Sequence, residues 1–179
     1  PAMDPNVALI ASLFVFWTGF SVRPFGAIIF GHLGDLIGRK FTFMLTLLLM
    51  GAATFVVGLL PGYDVLGNLA PILLVAMRVL QGLALGGEYG GAATYIAEHA
   101  PDGKRGLYTS WIQTTATMGI VLALAVILAC RLSFGDQAFG DWGWRVPFLI
   151  SAILVGLSIY IRLKLQESPL YARLKEQGK

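Results

Sequence analysis

Charged and amide side chains are rare in the long apolar stretches of this sequence, and four of them have types that could do chemistry. Arg78, Gln81 and Glu88 share one apolar stretch, and Arg23 lies in the first. At about 100° per residue, the three that share a stretch fall within one helix face about 80° wide. A carboxyl group can bind and release a proton, whereas a guanidinium stays charged and holds carboxylates through its fork of N–H donors. The pattern places a group that could carry a proton and a group that could hold a carboxylate on one helix face.

The same residues also allow a purely structural interpretation. A charge near the centre of a bilayer costs at least about 2.5–3.5 kcal/mol unless it faces protein or water. Arg23 is expected at a depth close to that of Glu88, so an Arg23–Glu88 ion pair would neutralise both charges. Glycines recur every fourth residue beside them and are expected to let another helix approach closely, at Gly82, Gly86 and Gly90.

A second group of charges lies in a glycine-rich stretch between the first two apolar segments. Residues 31–40 read Gly-His-Leu-Gly-Asp-Leu-Ile-Gly-Arg-Lys, so that one carboxylate precedes two adjacent cations. Glycine and charge alone would suit a polar turn outside the bilayer. The ordered pattern in so apolar a context predicts a more specific role for Gly31, Gly34, Asp35, Gly38, Arg39 and Lys40.

The elements that must carry these residues are helices that span a membrane. Hydrophobic residues make up 56% of the chain and charged residues 13%, with a mean hydropathy of +0.74, whereas soluble domains are about 25% charged. Apolar stretches long enough to span run approximately over residues 6–30, 41–60, 69–97, 107–132 and 146–165. Because every backbone polar group in a bilayer must be satisfied within its own segment, the sequence predicts an all-α integral membrane protein.

The connecting segments carry unequal positive charge. Cations are concentrated in the 31–40 loop, the 98–106 loop and the C-terminal tail, whereas the other loops hold Asp64 alone or balanced charges. By the positive-inside bias, these three segments are predicted to be cytoplasmic. The net charge of +3 expresses this bias and does not suggest a nucleic-acid partner.

No nucleophile–base pair or metal-ligand spacing occurs in the predicted spans, so neither an enzyme nor a metal or other cofactor is expected. The aromatic residues of the first stretch, among them Trp17 and Phe20, are expected to face lipid or to pack against other helices.

The 31–40 stretch resembles the motif G-x-L-(G/A)-D-(R/K)-x-G-R-(R/K) of the major facilitator superfamily, which lies between the second and third helices of those transporters. Only Leu36 departs, because the family has a cation there. Three further segments, Arg23-Pro24, Arg78 to Tyr89 and residues 141–148, resemble the superfamily's metabolite:proton symporters. Relatives include permeases for proline and betaine, α-ketoglutarate, citrate and shikimate, and the resemblance covers the whole chain.

The resemblance extends to charges outside the spans. Glu98 and Arg105 resemble the family's pattern between helices four and five, and Glu167-Ser168-Pro169 resembles its motif after helix six. In relatives such charges form a network that holds the inner gate shut. The resemblance implies a gate role for Asp35, Arg39, Glu98, Arg105 and Glu167. As solvated loop charges they would contribute only about 0–1 kcal/mol per exposed pair.

The resemblance implies an architecture and a function. Residues 1–165 are expected to form helices two to six of the N-terminal six-helix half of a twelve-helix fold, and residues 166–179 to begin the central cytoplasmic linker. The missing first helix and the C-terminal half would then be partners, along with the lipid bilayer. The implied function is proton-coupled symport of a small organic ion, such as a carboxylate, amino acid or betaine, across the cytoplasmic membrane by alternating access.

Two other functions stay open on the sequence. In a facilitator or symporter of a neutral solute such as a sugar, Arg78 and Glu88 would neutralise each other through Gln81 or water. A truncated membrane module that does not transport is the other alternative.

Overall fold

The computed structural model describes residues 4–164, and no strand occurs within them. The helices are α1 (Pro5–Ser21), α2 (Arg23–Ile37), α3 (Arg39–Leu59), α4 (Tyr63–Leu66), α5 (Leu69–His99), α6 (Arg105–Phe134), α7 (Asp136–Ala138) and α8 (Arg145–Leu163), with a π-helical turn at Phe139–Gly143. Five helical segments are long and apolar enough to cross a membrane: α1 with α2, then α3, α5, α6 and α8. The predicted all-α fold with five apolar helices is confirmed.

The first predicted span consists of two helices in succession. α1 ends at Ser21 and α2 begins at Arg23, so Val22 alone separates them. Pro24 lies in the first turn of α2 and has no N–H to continue the helical hydrogen bonds of α1. The proline therefore accounts for the interruption, and Arg23 stands directly at it.

The 31–40 stretch is not the loop that the sequence predicted. α2 continues through Gly31 and Gly34 to Ile37, and α3 begins at Arg39. Gly38 is the single residue between them and has a φ of 102°, a backbone conformation that favours glycine. The chain can thus change direction within one residue, and the charges of the motif stand on helix ends. We call this side of the bundle the Gly38 end.

α5 is the central helix, since it packs against α1, α2 and α3. Its glycines allow the closest of these contacts. A Cβ atom at Gly82 would lie 2.0 Å from the carbonyl oxygen of Gly19, and one at Gly86 would lie 2.0 Å from that of Arg23. The backbones of the first span and α5 therefore touch where Arg23 begins α2.

Gly90 was grouped with these glycines from the sequence, but a Cβ atom there would meet no described atom within 4 Å. A spacing of four residues drifts by about 40° per step around a helix, so the third glycine has turned away from the contact. Gly87 takes its place, because a Cβ atom there would lie 2.3 Å from Cβ of Phe30.

α8 packs along α3, and the two helices are joined near both of their ends. At the Gly38 end, Lys40 Nζ donates to the carbonyl oxygen of Leu163 at 3.0 Å. At the opposite end, Arg145 Nη2 donates to the carbonyl oxygen of Leu60 at 3.2 Å. These bonds occupy carbonyl groups at helix ends, which have no partner within their own helix.

Candidate functional site

Arg78 and Gln81 project from α5 toward α3. Arg78 Nη1 donates to Gln81 Oε1 at 3.0 Å, and Gln81 Nε2 donates to Thr54 Oγ1 at 2.9 Å. Thr54 Oγ1 donates in turn to the carbonyl oxygen of Met50 at 2.8 Å. The chain of bonds orients the guanidinium of Arg78, yet no carboxylate in the described part of the chain pairs with it.

Arg78 and Arg23 line one cavity of about 280 Å³ between the first span, α3, α5 and α8. The guanidinium of Arg23 lies 4.7 Å from the centre of the Phe20 ring. Its Nε is buried and has no hydrogen-bond partner among residues 4–164. Since none of the lining residues is acidic, two fixed cations share a cavity that holds no counter-charge. Such a site favours an anionic group.

Glu88 does not pair with Arg23, so the structural ion pair that the sequence left open as an alternative is not formed. Glu88 forms an ion pair with Arg162 in the last turn of α8, and both side chains are about 20% exposed. Arg162 Nη1 also donates to the carbonyl oxygen of Phe43 at 2.8 Å. The pair thus joins α5, α8 and α3 near the Gly38 end.

The predicted stripe of Arg78, Gln81 and Glu88 is therefore two separate sites. On an α-helix, Glu88 lies about 80° around the axis from Arg78 and roughly 15 Å farther along it. Arg78 consequently faces the cavity with Arg23, whereas Glu88 faces Arg162. Arg78 and Glu88 do not neutralise each other through Gln81, because Nε2 of Gln81 donates its hydrogen bond to Thr54 Oγ1.

Arg39 is the centre of the charges at the Gly38 end. Its Nη1 lies 2.9 Å from Oε1 of Glu98, and its Nη2 lies 3.7 Å from Oδ1 of Asp35. The side chains of Arg39 and Glu98 are 19% and 14% exposed, against 72% for Asp35. Among the described residues, Glu98 Oε2 is buried without a hydrogen-bond partner, and Nη1 of Arg39 approaches Oε1 closely but without hydrogen-bond alignment. The ion pair joins the end of α5 to the start of α3.

The other expected gate residues are placed elsewhere. Arg105 approaches Asp102 at 3.6 Å, both side chains are largely exposed, and neither belongs to the Arg39 cluster. Glu98 lies at the end of α5 and Arg105 begins α6. The segment that connects these two helices keeps the two side chains apart. Glu167 and the expected linker at 166–179 lie outside the described residues.

Sequence reasoning missed two residues that contribute to these sites. Arg162 was counted among the cations of the C-terminal tail, although it falls in the predicted 146–165 stretch; it lies within α8 and neutralises Glu88. Thr54 had drawn no comment and holds Gln81. The available signal for Arg162 was its position in the last turn of an apolar stretch, where a long arginine can extend along a neighbouring helix. Nothing in a lone threonine would have indicated Thr54.

Within residues 4–164, no group of three or more His, Cys, Asp or Glu side chains is arranged to hold a metal ion.

Comparison with known proteins agrees with this architecture. The family profile described as "Sugar (and other) transporter" matches residues 6–179. The chain is 46% identical over 179 residues to the inner membrane metabolite transport protein YhjE of Escherichia coli (strain K12), covering 100% of this chain and 41% of that protein. It is 41% identical over 171 residues to the proline/betaine transporter of the same strain, covering 96% of this chain and 34% of that protein.

A solved structure matches the fold. The xylose transporter XylE from Escherichia coli, in a partially occluded inward-open conformation, aligns with a TM-score of 0.82 at 20% identity. The alignment covers 97% of this chain and 42% of that one. At this identity the likeness concerns the fold alone. The chain spans 41% and 34% of the length of the two relatives, so it corresponds to part of a longer transporter fold.

Proposed function

Because the chain belongs to the sugar (and other) transporter family of the major facilitator superfamily, we propose that it forms part of a proton-coupled symporter for a small organic ion. The members of this family are transport proteins, and the chain is not an enzyme. The observation that carries the proposal is the cavity in which Arg23 and Arg78 meet without an acidic residue. Uncompensated charge within a span is unfavourable, and an entering anionic group relieves it.

The geometry favours a carboxylate over a neutral solute. Among the described residues, Gln81 accepts a hydrogen bond from Nη1 of Arg78, and the other guanidinium N–H groups could hold a carboxylate. A sugar would leave both cations without a counter-charge, so the neutral-solute alternative is not favoured. The name of the proline/betaine transporter, one of the relatives, supports a carboxylate or zwitterion as substrate.

Glu88 is our candidate for the proton carrier. It is the described carboxylate that lies well inside a span, whereas Asp35 and Glu98 stand near helix ends. Protonation would neutralise the carboxylate and release Arg162 from the ion pair, while its hydrogen bond to the carbonyl oxygen of Phe43 and its contact with the Phe43 ring would remain. A proton on Glu88 would thereby alter how α8 is held against α3 and α5.

The remaining parts of the proposal concern location and gating. The relative YhjE is named an inner membrane protein, and we place this chain in the cytoplasmic membrane with its 31–40 and 98–106 segments inside. The Arg39–Glu98 pair would then stabilise the closed inner side during alternating access, while this bundle rocks against the rest of the transporter.

The test is uptake into proteoliposomes that contain the full-length protein with this sequence, under an imposed pH gradient. Labelled organic carboxylates, amino acids and betaines are compared with labelled sugars, and one of the charged classes is expected to accumulate. Arg78→Lys should weaken its uptake roughly tenfold or more, since lysine keeps the charge but loses the paired donors. Arg131→Lys is the matched control, because Arg131 pairs with Asp136 outside this cavity.

Accumulation of a sugar, with Arg78→Lys indistinguishable from the unaltered protein, would contradict the proposal. Equal losses in Arg78→Lys and Arg131→Lys would contradict the assignment of the site to Arg78.

A further inference from the structure

The cavity that Arg23 and Arg78 share has few polar side chains, and one of them decides how much charge it carries. Besides the two arginines, the polar side chains among its described lining residues are Thr54 and Gln81, and both are neutral. We infer that Gln81 determines the charge preference of this cavity, because its amide occupies the position at which a carboxylate would neutralise Arg78. The inference rests on the proposed function and adds a specificity-determining residue to it.

The orientation of the Gln81 amide is fixed by Thr54. The hydroxyl group of threonine has a single proton to donate. Thr54 donates it to the carbonyl oxygen of Met50 at 2.8 Å, so toward Gln81 it can only accept. Gln81 accordingly donates from Nε2 to Thr54 Oγ1 at 2.9 Å and directs Oε1 to Nη1 of Arg78, at 3.0 Å. Thr54 is therefore a positioning residue that holds the amide oxygen toward the guanidinium.

An amide oxygen and a carboxylate have different effects on Arg78. The amide oxygen accepts one hydrogen bond and leaves the guanidinium with its full charge, so the cation still attracts an anionic group. A carboxylate in the same place would accept the same hydrogen bond and also cancel the charge. An entering carboxylate would then compete with one that is already bonded to Arg78. The choice between amide and carboxylate at position 81 is thus sufficient to change which ligand charge is favoured.

The rest of the cavity offers no other counter-charge. The remaining described lining residues are glycines, phenylalanines, Met50 and Leu85. Charges are only weakly screened among such side chains. The guanidinium of Arg23 lies 4.7 Å from the centre of the Phe20 ring and keeps its charge. A carboxylate at position 81 would therefore reduce the preference for anions without abolishing it.

The glutamate variant should keep the local structure. Gln81→Glu is nearly isosteric, and its Oε1 can accept from Arg78 as the amide oxygen does. The second carboxylate oxygen would replace Nε2, and Thr54 can rotate its hydroxyl group to donate to it. The carbonyl oxygen of Met50 would lose only this extra bond, because in an α-helix it also accepts the backbone N–H of Thr54. A change of ligand preference in this variant would thus report charge.

The test measures binding to the full-length protein in detergent without an ion gradient. The probes are benzoate and benzamide, which have nearly the same shape and differ in the charge of the group that would meet Arg78. The unaltered protein is expected to bind benzoate roughly tenfold more tightly than benzamide. Gln81→Glu should reduce this preference to about twofold, since Arg78 is then neutralised from within. Gln81→Leu should keep most of it, because Arg78 stays charged.

Gln113→Glu is the matched control, because it adds the same charge at an exposed position of α6 outside this cavity, and it should leave the preference unchanged. The positioning role is checked at Thr54. Thr54→Val removes the acceptor for Nε2 of Gln81 and should weaken benzoate binding severalfold, whereas Thr54→Ser keeps the hydroxyl group and should restore it. Unchanged benzoate binding in Thr54→Val would overturn the positioning role.

The outcomes separate the inference from the proposed function. If Gln81→Glu keeps the full preference for benzoate, or if Gln113→Glu lowers it equally, Gln81 does not set the charge preference and the carboxylate site of the proposed function still stands. Loss of the preference in Gln81→Leu with its retention in Gln81→Glu would show that Gln81 acts through hydrogen bonding alone, which also overturns the inference. If the unaltered protein binds benzoate no better than benzamide, the proposed carboxylate site itself is contradicted, and the inference falls with it.

Discussion

The charged side chains inside the helices of this chain differ in whether they have an oppositely charged partner. Glu88 and Glu98 each lie beside an arginine from another helix, at Arg162 and Arg39. Removing one partner of a half-buried pair leaves an uncompensated charge, whereas removing both is often close to neutral. A comparison of single and double variants therefore distinguishes a carboxylate that carries a proton from one that only balances the charge of a neighbouring arginine.

The first prediction at this scale concerns Glu88. Glu88→Gln keeps the shape and hydrogen bonding but cannot carry a proton, so accumulation driven by a pH gradient should be lost while counterflow of substrate remains. The double variant Glu88→Gln with Arg162→Gln also removes the unpaired cation, and accumulation should still be absent. Both are measured as proteoliposome uptake. Recovery of accumulation in the double variant would show that Glu88 only balances the charge of Arg162 and does not carry the proton.

The second prediction concerns Glu98. Glu98→Gln releases Arg39 from its ion pair and should favour the state that opens at the Gly38 end. The readout is the rate at which a cysteine at Leu85, which lines the cavity that Arg23 and Arg78 share, reacts with a thiol reagent supplied from the cytoplasmic side. A severalfold increase is expected for the loss of an ion pair that contributes about 1 kcal/mol.

Asp102→Asn is the control for the Glu98 variant, since Asp102 is fully exposed and only approaches Arg105. If Glu98→Gln and Asp102→Asn both leave the labelling rate and the uptake unchanged, the Arg39–Glu98 pair does not act as a gate.

At the scale of helices, α5 is fixed by glycines where other membrane helices would carry larger side chains. Without a hydrophobic driving force between helices in lipid, close backbone approach supplies much of the packing energy. Gly82 and Gly86 provide that approach to the first span. α8 approaches α3 at two glycines as well, because a Cβ atom at Gly51 would lie 2.3 Å from Val155 Cγ2 and one at Gly58 would lie 2.8 Å from Phe148 Cβ. Hydrogen bonds from Lys40 and Arg145 to carbonyl oxygens join the same two helices near their ends.

The prediction for helix packing uses two glycines of the same helix. Gly82→Ala should lower the free energy of unfolding by about 1–3 kcal/mol, because its Cβ atom would overlap the carbonyl oxygen of Gly19. Gly90→Ala should leave stability unchanged or raise it by up to about 1 kcal/mol, since the added methyl meets open space and alanine favours a helix. Thermal unfolding of the detergent-solubilised protein measures both. Equal effects would show that α5 does not pack as described.

Each of the long helices in the described chain exposes large apolar side chains. Only Cys130 is buried in α6, and no residue is buried in α8. In water such exposure would be unfavourable, but lipid or further helices can cover it. The segment after α3 and the segment after α5 lie at opposite ends of α5, so the two loops would face opposite sides of a membrane.

The prediction at this scale is topological. Asp64 and Asp102 are exposed and stand in these two segments. In a variant without Cys130, a cysteine at Asp64 should react with an impermeant thiol reagent in intact cells, and one at Asp102 should react only after the membrane is opened. Reaction of both from outside would contradict the orientation and the five-helix topology.

The helical architecture could be predicted from the sequence because the bilayer leaves few alternatives. An apolar stretch of sufficient length must satisfy its backbone internally, and this requirement is local to the stretch. The predicted segment at 41–60 accordingly corresponds to the helix Arg39–Leu59, and the predicted segment at 146–165 corresponds to the helix Arg145–Leu163. The 31–40 stretch was mistaken for a loop, because glycine was treated as a helix breaker although only Gly38 needs a positive φ.

The pairing of the charges was decided by the tertiary structure alone. Residue type and depth made Arg23 a reasonable partner for Glu88, but a partner also depends on how far each helix is rotated about its axis and on which helix is adjacent. The rotation turned Glu88 toward α8, where Arg162 neutralises it, and it left Arg23 and Arg78 facing a shared cavity. Sequence thus determined which charges lie inside the spans. Contacts between helices distant in the chain determined which of them remain without a counter-charge.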